Sequence, residues 1–256
     1  MVDTAYLNLR RYLGLPPTRL RYARAYGDFV FLDDDVRRIF DIDVVGVDIP
    51  VQRDMAVIAA EDFRYVDEWG IGHRKRGMWH IYPDSAPLAG QRTVNDVRNH
   101  PWPEVGLVRD GAPSSAADVA LRDEARRLRS ETDYAIRLGL QADLFQTVNW
   151  LCGEDFYANF VTQPDVLDAL FEKVTAVCIA WAANRLAVVG ADAADILQCT
   201  ADDLGFQTGL FISPDMYRRF VKPWHRAFYD AVRRASNATR MMHTDGAIYP
   251  LLPDFV

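Results

Sequence analysis

The sequence predicts an α/β fold in which parallel strands alternate with helices. From Ala116 onward, short apolar stretches of strand character alternate with longer stretches of helical periodicity. Polar side chains follow two successive predicted strands, at the ends where barrels and open α/β sheets carry their sites. The length of 256 residues suits one α/β barrel or two smaller domains. The one linker candidate, Val105–Ser115, is too short and too apolar to define a boundary, so we expect a single domain over residues 1–256.

The composition excludes several functional classes. Hydrophobic residues make up 50% of the chain and charged residues 25%, as in ordinary globular proteins. The net charge of −7 argues against a large phosphate-binding face, so we expect no nucleic acid as a partner. No apolar run approaches the roughly 18 residues that span a membrane, and the N-terminus has no signal pattern. Because the three cysteines have no tight spacing, we expect no disulfide framework and a cytoplasmic protein that does not bind membranes.

The first half of the chain carries short elements. Asp33-Asp-Asp35 is interpreted as the N-cap of a helix, with metal binding as the alternative. Gly72–Gly77 is interpreted as the turn of an antiparallel hairpin between Arg64–Ile71 and Met78–Tyr82. The other predicted elements are a helix over Val2–Leu13 that Gly14 ends, a short apolar run Phe29–Leu32, a helix over Val36–Phe40, a strand over Asp43–Val51 and the loop Val105–Ser115.

The second half is more regular, and capping residues mark its helices. Ser114 or Ser115 can cap the first helix, Pro164 begins a long helix that Gly190 ends, and Ser213-Pro-Asp215 places proline at a first helical position. The predicted elements are a helix from Ala116 to about Ser130, a strand Tyr134–Leu140, a helix Leu144–Leu151, a helix Asp165–Val189, a strand Ala194–Thr200, a helix from Ser213 past Pro223 to about Arg234, a strand Thr239–His243 and a helix that begins over Ile248–Phe255.

Four polar residues follow the last two predicted strands. Asp202 and Asp203 come after one strand, and His243 and Asp245 come at the end of the next. Neighbouring strands lie about 4.8 Å apart, so these side chains can meet in one pocket. Carboxylates and an imidazole can act as general acid and base, or bind a divalent metal through His243 and Asp245. The alternative is that Asp203 and Asp245 are turn residues, because Asp-Leu-Gly and Asp-Gly are typical of turns.

Other reactive side chains are interpreted as non-catalytic. Cysteines on predicted helices and strands are expected in the core, and His225 lies beside Trp224 on a predicted helix. The remaining histidines of the first half are expected at the surface or in the hairpin. The sequence contains no Gly-rich phosphate loop, no Ser-centred elbow and no His-Glu-x-x-His motif. The residues concerned are Cys152, Cys178, Cys199, His73, His80 and His100.

Three motifs of the second half resemble the uroporphyrinogen decarboxylase family. They are Asp202-Asp-Leu-Gly205, then Ile212-Ser-Pro-Asp-Met-Tyr217 with Lys222-Pro223, and Met242-His-Thr-Asp-Gly246 with Ile248-Tyr-Pro-Leu-Leu-Pro-Asp254. The resemblance implies a TIM (β/α)8 barrel with its site at the mouth formed by the carboxyl ends of the strands. Weaker similarities run through Tyr12–Pro16, Asp67–Gly70, Val94–Pro103 and Phe156–Leu170.

The sequence departs from the family pattern in three places. The resemblance begins after the opening strand and stops at Val256, before two further strand–helix units. We therefore expect a fragment, a barrel incomplete at both ends with unpaired strand edges, and we expect it to be marginally stable or self-associating. The arginine-bearing N-terminal loop of the decarboxylases has no counterpart here. The segment Phe40-Asp41-Ile-Asp43 resembles only loosely the strand that carries their functional aspartate.

The resemblance extends to the corrinoid-linked methyltransferases of the same superfamily. These enzymes move a methyl group between a cobalamin-bearing protein and a thiol or other acceptor, and the thiol-directed ones hold zinc with a His-x-Cys pair and a later cysteine. Here His243 matches the histidine, and Asp245 stands in place of the first cysteine. The resemblance implies zinc at His243 and Asp245 as one cofactor alternative, with cobalamin carried by a partner corrinoid protein.

Three interpretations of the function are open at this point. The first is a corrinoid-dependent methyltransferase with His243 and Asp245 at the acceptor site and Asp202 or Asp203 beside them. The second is a uroporphyrinogen decarboxylase of porphyrin biosynthesis, which needs no metal or cofactor but prefers cations at its mouth for a polyanionic substrate. The third is an inactive truncated barrel. The first two act on a small-molecule substrate.

Overall fold

A four-stranded parallel sheet is the centre of the fold. The computed structural model describes residues 1–22, 29–47, 64–76, 80–90, 92–105, 115–140 and 142–255. The strands in these ranges are β1 (Val44–Gly46), β2 (Arg64–Val66), β3 (Gly72–Arg76), β4 (His80–Ser85), β5 (Ala135–Gly139), β6 (Ile196–Ala201), β7 (Gly205–Phe206), β8 (Gly209–Leu210) and β9 (Thr239–His243). The α-helices are α1 (Asp3–Tyr12), α2 (Asp34–Ile39), α3 (Val94–Asn99), α4 (Ala116–Glu131), α5 (Leu144–Cys152), α6 (Phe156–Thr162), α7 (Pro164–Val189), α8 (Pro214–Met216) and α9 (Lys222–Ala235).

The parallel sheet has the strand order β1-β5-β6-β9. Val45 lies opposite Ile136, Leu138 opposite Leu197, and these pairings run parallel throughout. Helices α5, α6 and α7 connect β5 to β6, and α9 lies between β6 and β9. The prediction that the three later strands belong to one parallel sheet is confirmed. In the described ranges the chain is therefore an α/β protein with a parallel sheet of four strands.

Strand alternation and helical periodicity build one core between the sheet and its helices. Ile136 and Leu138 of β5 and Leu197 of β6 are at most 1% exposed and belong to the same buried cluster as the residues of α7. Leu170 and Val174, at the predicted helical spacing, are fully buried in that cluster. Burial of each such side chain contributes about 1.5–3 kcal/mol relative to exposure. The 26-residue helix α7 is held by this packing.

Helix ends in the second half follow the predicted capping chemistry. The hydroxyl of Ser115 accepts a hydrogen bond from the backbone N–H of Asp118, whose carboxylate accepts one from the backbone N–H of Ser115. Pro164 occupies the first turn of α7, and Gly190 follows its end with a φ of 98°. These helix boundaries are therefore fixed by local sequence.

The predicted hairpin of the first half is wrong in its register. Gly72–Gly77 was expected to be a turn, but Gly72–Arg76 is β3, the central strand of an antiparallel sheet ordered β2-β3-β4. Gly72 allows β3 to lie close to Ser85 of β4, because a Cβ at this position would lie 2.2 Å from the Oγ of Ser85. The turn lies earlier, where Asp67 accepts hydrogen bonds from the backbone N–H groups of Trp69 and Ile71. Part of the predicted strand Asp43–Val51 and most of the loop Val105–Ser115 lie outside the described residues.

The acidic triplet before α2 binds an arginine. Asp33 occupies the N-cap position, but its side chain caps no helical N–H group. Arg10, only 5% exposed, donates to the carboxylates of Asp33 and Asp35, both at 2.9 Å. The hydroxyl of Tyr6 also donates to Asp33, at 2.8 Å. Asp33–Asp35 thus lie at the N-terminus of α2, as predicted, and they also form an ion-pair cluster with Arg10 that joins α1 to α2.

The predicted helix from Ser213 to about Arg234 has three parts. Ser213 caps α8, a π-helical segment Tyr217–Val221 follows, and Pro223 lies in the first turn of α9. The chain thus makes a wider helical turn just before Pro223. The predicted helix at Ile248–Phe255 is a 3-10 helix, Tyr249–Asp254, with Pro253 inside it. Within the described ranges no helix has the length and apolar character that crossing a membrane requires.

Candidate functional site

Asp203, His243 and Asp245 come together at the carboxyl ends of β6 and β9. His243 ends β9 and pairs with Ala201 at the end of β6, so the chain leaves both strands side by side. Nε2 of His243 lies 3.7 Å from Oδ1 of Asp203 and 3.6 Å from Oδ1 of Asp245. One ligand atom of each residue lies within 4.8 Å of the other two. Three of the four predicted site residues therefore meet, and we call them the acidic cluster.

Hydrogen bonds from backbone N–H groups connect the two loops that carry the acidic cluster. The N–H of Asp245 donates to Oδ1 of Asp203 at 3.0 Å, and the N–H of Leu204 donates to the hydroxyl of Thr244 at 3.1 Å. The N–H of Ala247 donates to the carbonyl of Phe206 at 2.8 Å. The carboxylate of Asp203 thus links the two loops, and it also faces the imidazole of His243.

Two glycines allow the loops to approach each other this closely. Gly246 has a φ of 87°, in the region that favours glycine. A Cβ on Gly246 would lie 2.2 Å from the carbonyl carbon of Gly205 and 2.6 Å from the backbone nitrogen of Phe206. A Cβ on Gly205 would lie 3.0 Å from the carbonyl oxygen of Gly209. The Asp-Leu-Gly and Asp-Gly sequences therefore fix the separation of the carboxylates.

The acidic cluster is open to solvent and carries a net negative charge in either protonation state of the imidazole. The side chains are 40% exposed for Asp203, 50% for His243 and 73% for Asp245. In the part of the chain that the structure describes, no other group of three histidine, cysteine or acidic side chains is close enough to hold a metal. Exposed acidic groups of this kind are also common without a metal.

The donor set fits a divalent cation. Two ligand atoms bound about 2.1 Å from a tetrahedral zinc lie about 3.4 Å apart, close to the separations from Nε2 of His243 to the two carboxylate oxygens. One nitrogen and two oxygens are ligands that zinc accepts, and carboxylate oxygens also suit harder cations. With three protein ligands at a solvent-exposed position, further coordination sites stay open to a substrate.

Asp202 does not belong to the acidic cluster, which corrects its predicted place at the mouth. Its side chain is fully buried. Its carboxylate accepts hydrogen bonds from the backbone N–H groups of Leu144 at 3.1 Å and Gln146 at 3.0 Å, at the start of α5. Nε2 of His225 donates to the same carboxylate at 2.9 Å. Asp202 thereby compensates the positive end of α5 and anchors the end of β6 beneath the site.

His225 has a structural partner that the sequence did not reveal. It is 4% exposed, and its Nδ1 lies 3.1 Å from the hydroxyl of Tyr217 in the π-helical segment. Burial raises the pKa of Tyr217, so its hydroxyl stays protonated and can donate to Nδ1. The chain Tyr217–His225–Asp202 joins α9 to α5. His225 is thus buried outside the acidic cluster.

The comparison with known proteins finds a family similarity in the second half of the chain. The protein-family model described as uroporphyrinogen decarboxylase (URO-D) matches residues 152–256. This part of the chain is similar to the uroporphyrinogen decarboxylase family, as the sequence motifs indicated. The matched range contains strands β6 and β9 and the whole acidic cluster. No curated protein matches the chain.

The cysteines are structural, as the sequence predicted. Cys152, Cys178 and Cys199 are all buried. Burial raises the pKa of the Cys152 and Cys199 thiols to about 12, so both stay protonated near neutral pH. Neither thiolate chemistry nor metal ligation is favoured at these positions.

Two histidines of the first half make specific contacts. His73, expected at the surface or in the hairpin, lies in β3 and is 6% exposed. Its Nε2 lies 2.7 Å from Oδ2 of Asp67, within the turn that precedes β3. Nε2 of His100 lies 2.9 Å from the carbonyl oxygen of Trp69. Both imidazoles therefore stabilise the antiparallel sheet, and neither lies in the acidic cluster.

Proposed function

We propose that this chain is a corrinoid-dependent methyltransferase of the URO-D family, with a barrel fold of the TIM type and its methyl-acceptor site at the acidic cluster. The observation that carries the proposal is the convergence of Asp203, His243 and Asp245 at the carboxyl ends of adjacent parallel strands. This is the edge where parallel α/β folds hold their reacting groups.

His243, Asp203 and Asp245 would hold a divalent cation through one imidazole nitrogen and two carboxylate oxygens. Zinc is the cation that the separations of the ligand atoms suit best. When bound, it would supply Lewis acidity that lowers the pKa of a thiol or hydroxyl of the acceptor. The carboxylates make this donor set harder than a thiolate set, which favours an acceptor with an oxygen or nitrogen at the reacting position.

The residues of the chain have roles of their own at this site. The Nε2 of His243 faces the carboxylates of Asp203 and Asp245, so the three side chains point toward one position that a cation would occupy. The hydrogen bond from the backbone N–H of Asp245 to Asp203 fixes the orientation of that carboxylate. Asp202 supports the end of β6 from below, as a positioning residue that does not touch the acceptor.

The methyl donor in this proposal is cobalamin carried by a partner corrinoid protein, and the acceptor is a small molecule. The second candidate is uroporphyrinogen decarboxylation, which the description of the matching family model favours. The negative charge of the acidic cluster opposes that candidate, because a porphyrinogen with several carboxylates would be repelled there. An inactive chain is the third outcome of the test.

The first test is cation binding by the chain. Calorimetric titration with zinc should show one site in the unmodified chain and none in His243→Ala or Asp245→Asn. Asp215→Asn is the matched control, because Asp215 is an exposed carboxylate whose described ion pair is with Arg218, outside the cluster. Unchanged zinc affinity in His243→Ala would exclude the acidic cluster as the cation site.

The second test is turnover. Loss of the methylcobalamin absorbance in the presence of a panel of thiol, amine and hydroxyl acceptors should depend on the intact chain and on His243. Production of coproporphyrinogen from uroporphyrinogen by the intact chain would instead establish the decarboxylase. Absence of both activities from a chain that binds zinc would favour the inactive alternative.

A further inference from the structure

A cleft of about 440 Å³ lies against the parallel sheet, apart from the acidic cluster. Its volume falls in the range of small-molecule sites, about 300–1,000 Å³. The polar side chains in its wall are Arg37, Arg137 and Gln198, and the described lining residues include no aspartate or glutamate. The rest of the described wall is largely apolar and consists of Met1, Phe29, Val30, Phe31, Leu32, Ile42, Val44, Val45 and Gly46.

Arg137 and Gln198 lie on the sheet face turned away from the helices. Ile136 and Leu138, on either side of Arg137, are buried in the core that the sheet forms with the helices, and so is Leu197 beside Gln198. Because successive side chains of a strand point to opposite faces, Arg137 and Gln198 point into the cleft. This face therefore places a cation in an apolar cleft.

Arg137 has no acidic partner in the described part of the chain. Its NH1 group donates a hydrogen bond to the amide oxygen of Gln198, which is neutral. A guanidinium has five N–H donors, so most of them remain available to a ligand. Arg37, by contrast, is paired with Asp34 at 2.7 Å. A partly buried cation with only a neutral partner gains most from an anionic ligand.

We propose that this cleft binds a small apolar carboxylate. The carboxylate group pairs with the guanidinium of Arg137, whose planar fork matches two oxygens at once. The apolar body of the ligand contacts Val44 of β1 and the segment Phe29–Leu32. One unpaired cation in an apolar wall suits a singly charged carboxylate better than a more highly charged phosphate.

The cleft lies apart from the acidic cluster on the parallel sheet. Arg137 pairs with Ile196 on β6, which pairs with Thr239 on β9, and His243 lies four residues further along β9. The cleft extends to the opposite side of β5, where β1 and the segment Phe29–Leu32 line it. The binding of a carboxylate here therefore does not rest on the proposed function.

Benzoate and its neutral analogue benzamide test the proposal by calorimetric titration of the full chain. We expect benzoate to bind and benzamide to bind at least about tenfold more weakly. Arg137→Met should weaken benzoate binding about tenfold or more. Arg137→Lys should weaken it less, since lysine keeps the charge but loses the fork. Arg234→Met is the matched control, because Arg234 is an exposed arginine of α9 outside the cleft.

The same titrations distinguish the carboxylate site at Arg137 from the zinc site at the acidic cluster. His243→Ala should lose zinc binding and keep benzoate binding, and Arg137→Met should do the reverse. Thermal unfolding of each variant shows whether it is folded, and Arg137→Lys supplies the result if Arg137→Met is not. The proposal is overturned by equal binding of benzoate and benzamide, by unchanged benzoate affinity in both Arg137 variants, or by no benzoate binding to the unmodified chain. Failure of methyl transfer alone overturns the proposed function and leaves the carboxylate site standing.

Discussion

Adjacent aspartates after β6 have different roles because the chain turns between them. Asp202 is fully buried and accepts three hydrogen bonds, two from the start of α5 and one from His225. Asp203 is 40% exposed and faces His243. A buried carboxylate with satisfied donors contributes to stability, whereas an exposed one in an ion pair contributes little.

Replacement of these two aspartates should therefore separate folding from cation binding. Asp202→Ala leaves three buried donors without an acceptor and should lower the free energy of unfolding by about 3–5 kcal/mol. Asp203→Ala should lower it by less than about 1 kcal/mol and abolish zinc binding. Urea unfolding and zinc titration measure the two effects. Equal destabilisation by both substitutions would contradict the assignment.

Gly246 carries a second residue-scale prediction. Gly246→Ala places a Cβ 2.2 Å from the carbonyl carbon of Gly205 at a φ of 87°, and should cost about 2–4 kcal/mol of unfolding free energy. Gly190→Ala is the control, since its φ is 98° but nothing lies within 4 Å of the added Cβ. Gly190→Ala should lower the free energy of unfolding by only about 1 kcal/mol. A smaller loss for Gly246→Ala than for the control would refute the close packing of the loops.

At the scale of elements, the 3-10 helix Tyr249–Asp254 is held by ion pairs. The carboxylate of Asp254 is 7% exposed and contacts Arg218 at 3.1 Å and Lys222 at 2.8 Å. Hydrogen bonds from Arg218, and then from Lys222, hold the pKa of Asp254 below its usual range. This anchor connects the segment after β9 to the π-helical segment and to α9.

The lowered pKa of Asp254 predicts a loss of stability in acid. The stabilising contribution of Asp254 is complete above the unfolded value of about 3.9 and is lost as the pH falls through the lower folded value. Asp254→Asn should reduce the drop in melting temperature between about pH 5 and about pH 2. Asp192→Asn, which changes an exposed carboxylate, should leave the drop unchanged. Identical acid profiles for Asp254→Asn and the unmodified chain would show that the anchor does not act.

At the scale of the whole molecule, the parallel sheet has an accessible outer strand. Strand β9 is last in the order of the described strands and pairs there only with β6, and Thr239, Arg240 and His243 are exposed. An outer strand with free backbone groups can pair with another chain. The whole molecule is therefore expected to associate through this edge.

Light scattering across a concentration series tests this expectation. The apparent mass should rise with concentration, and Thr239→Lys should reduce the rise, because a charge on an edge strand opposes pairing. Ala183→Lys, on an exposed position of α7, is the matched control and should not change it. A mass that stays monomeric over the whole series would exclude association through β9.

The sequence determined the elements whose signals are local. Ser115 and Gly190 define helix ends through capping and a positive φ, and the apolar spacing of α7 follows from its buried face. The register of the hairpin could not be predicted from local signals. Gly72 is a glycine because Ser85 of the neighbouring strand lies close to it, and it does not form a turn. The conformation of Ile248–Phe255 as a 3-10 helix depends on the ion pairs of Asp254 with α9 and the segment before it.

The sequence by itself also indicated the similarity of the second half to the URO-D family and the three residues of the acidic cluster, because parallel strands bring their carboxyl ends to one edge. Only the tertiary structure decided which of Asp202 and Asp203 turns inward, since the donors that hold Asp202 come from α5 and from His225. It alone showed that Arg137 faces an apolar cleft beside a neutral partner. The physical reason is the same in each case. A side chain's neighbours across strands and helices are set by packing between distant segments, which no local pattern encodes.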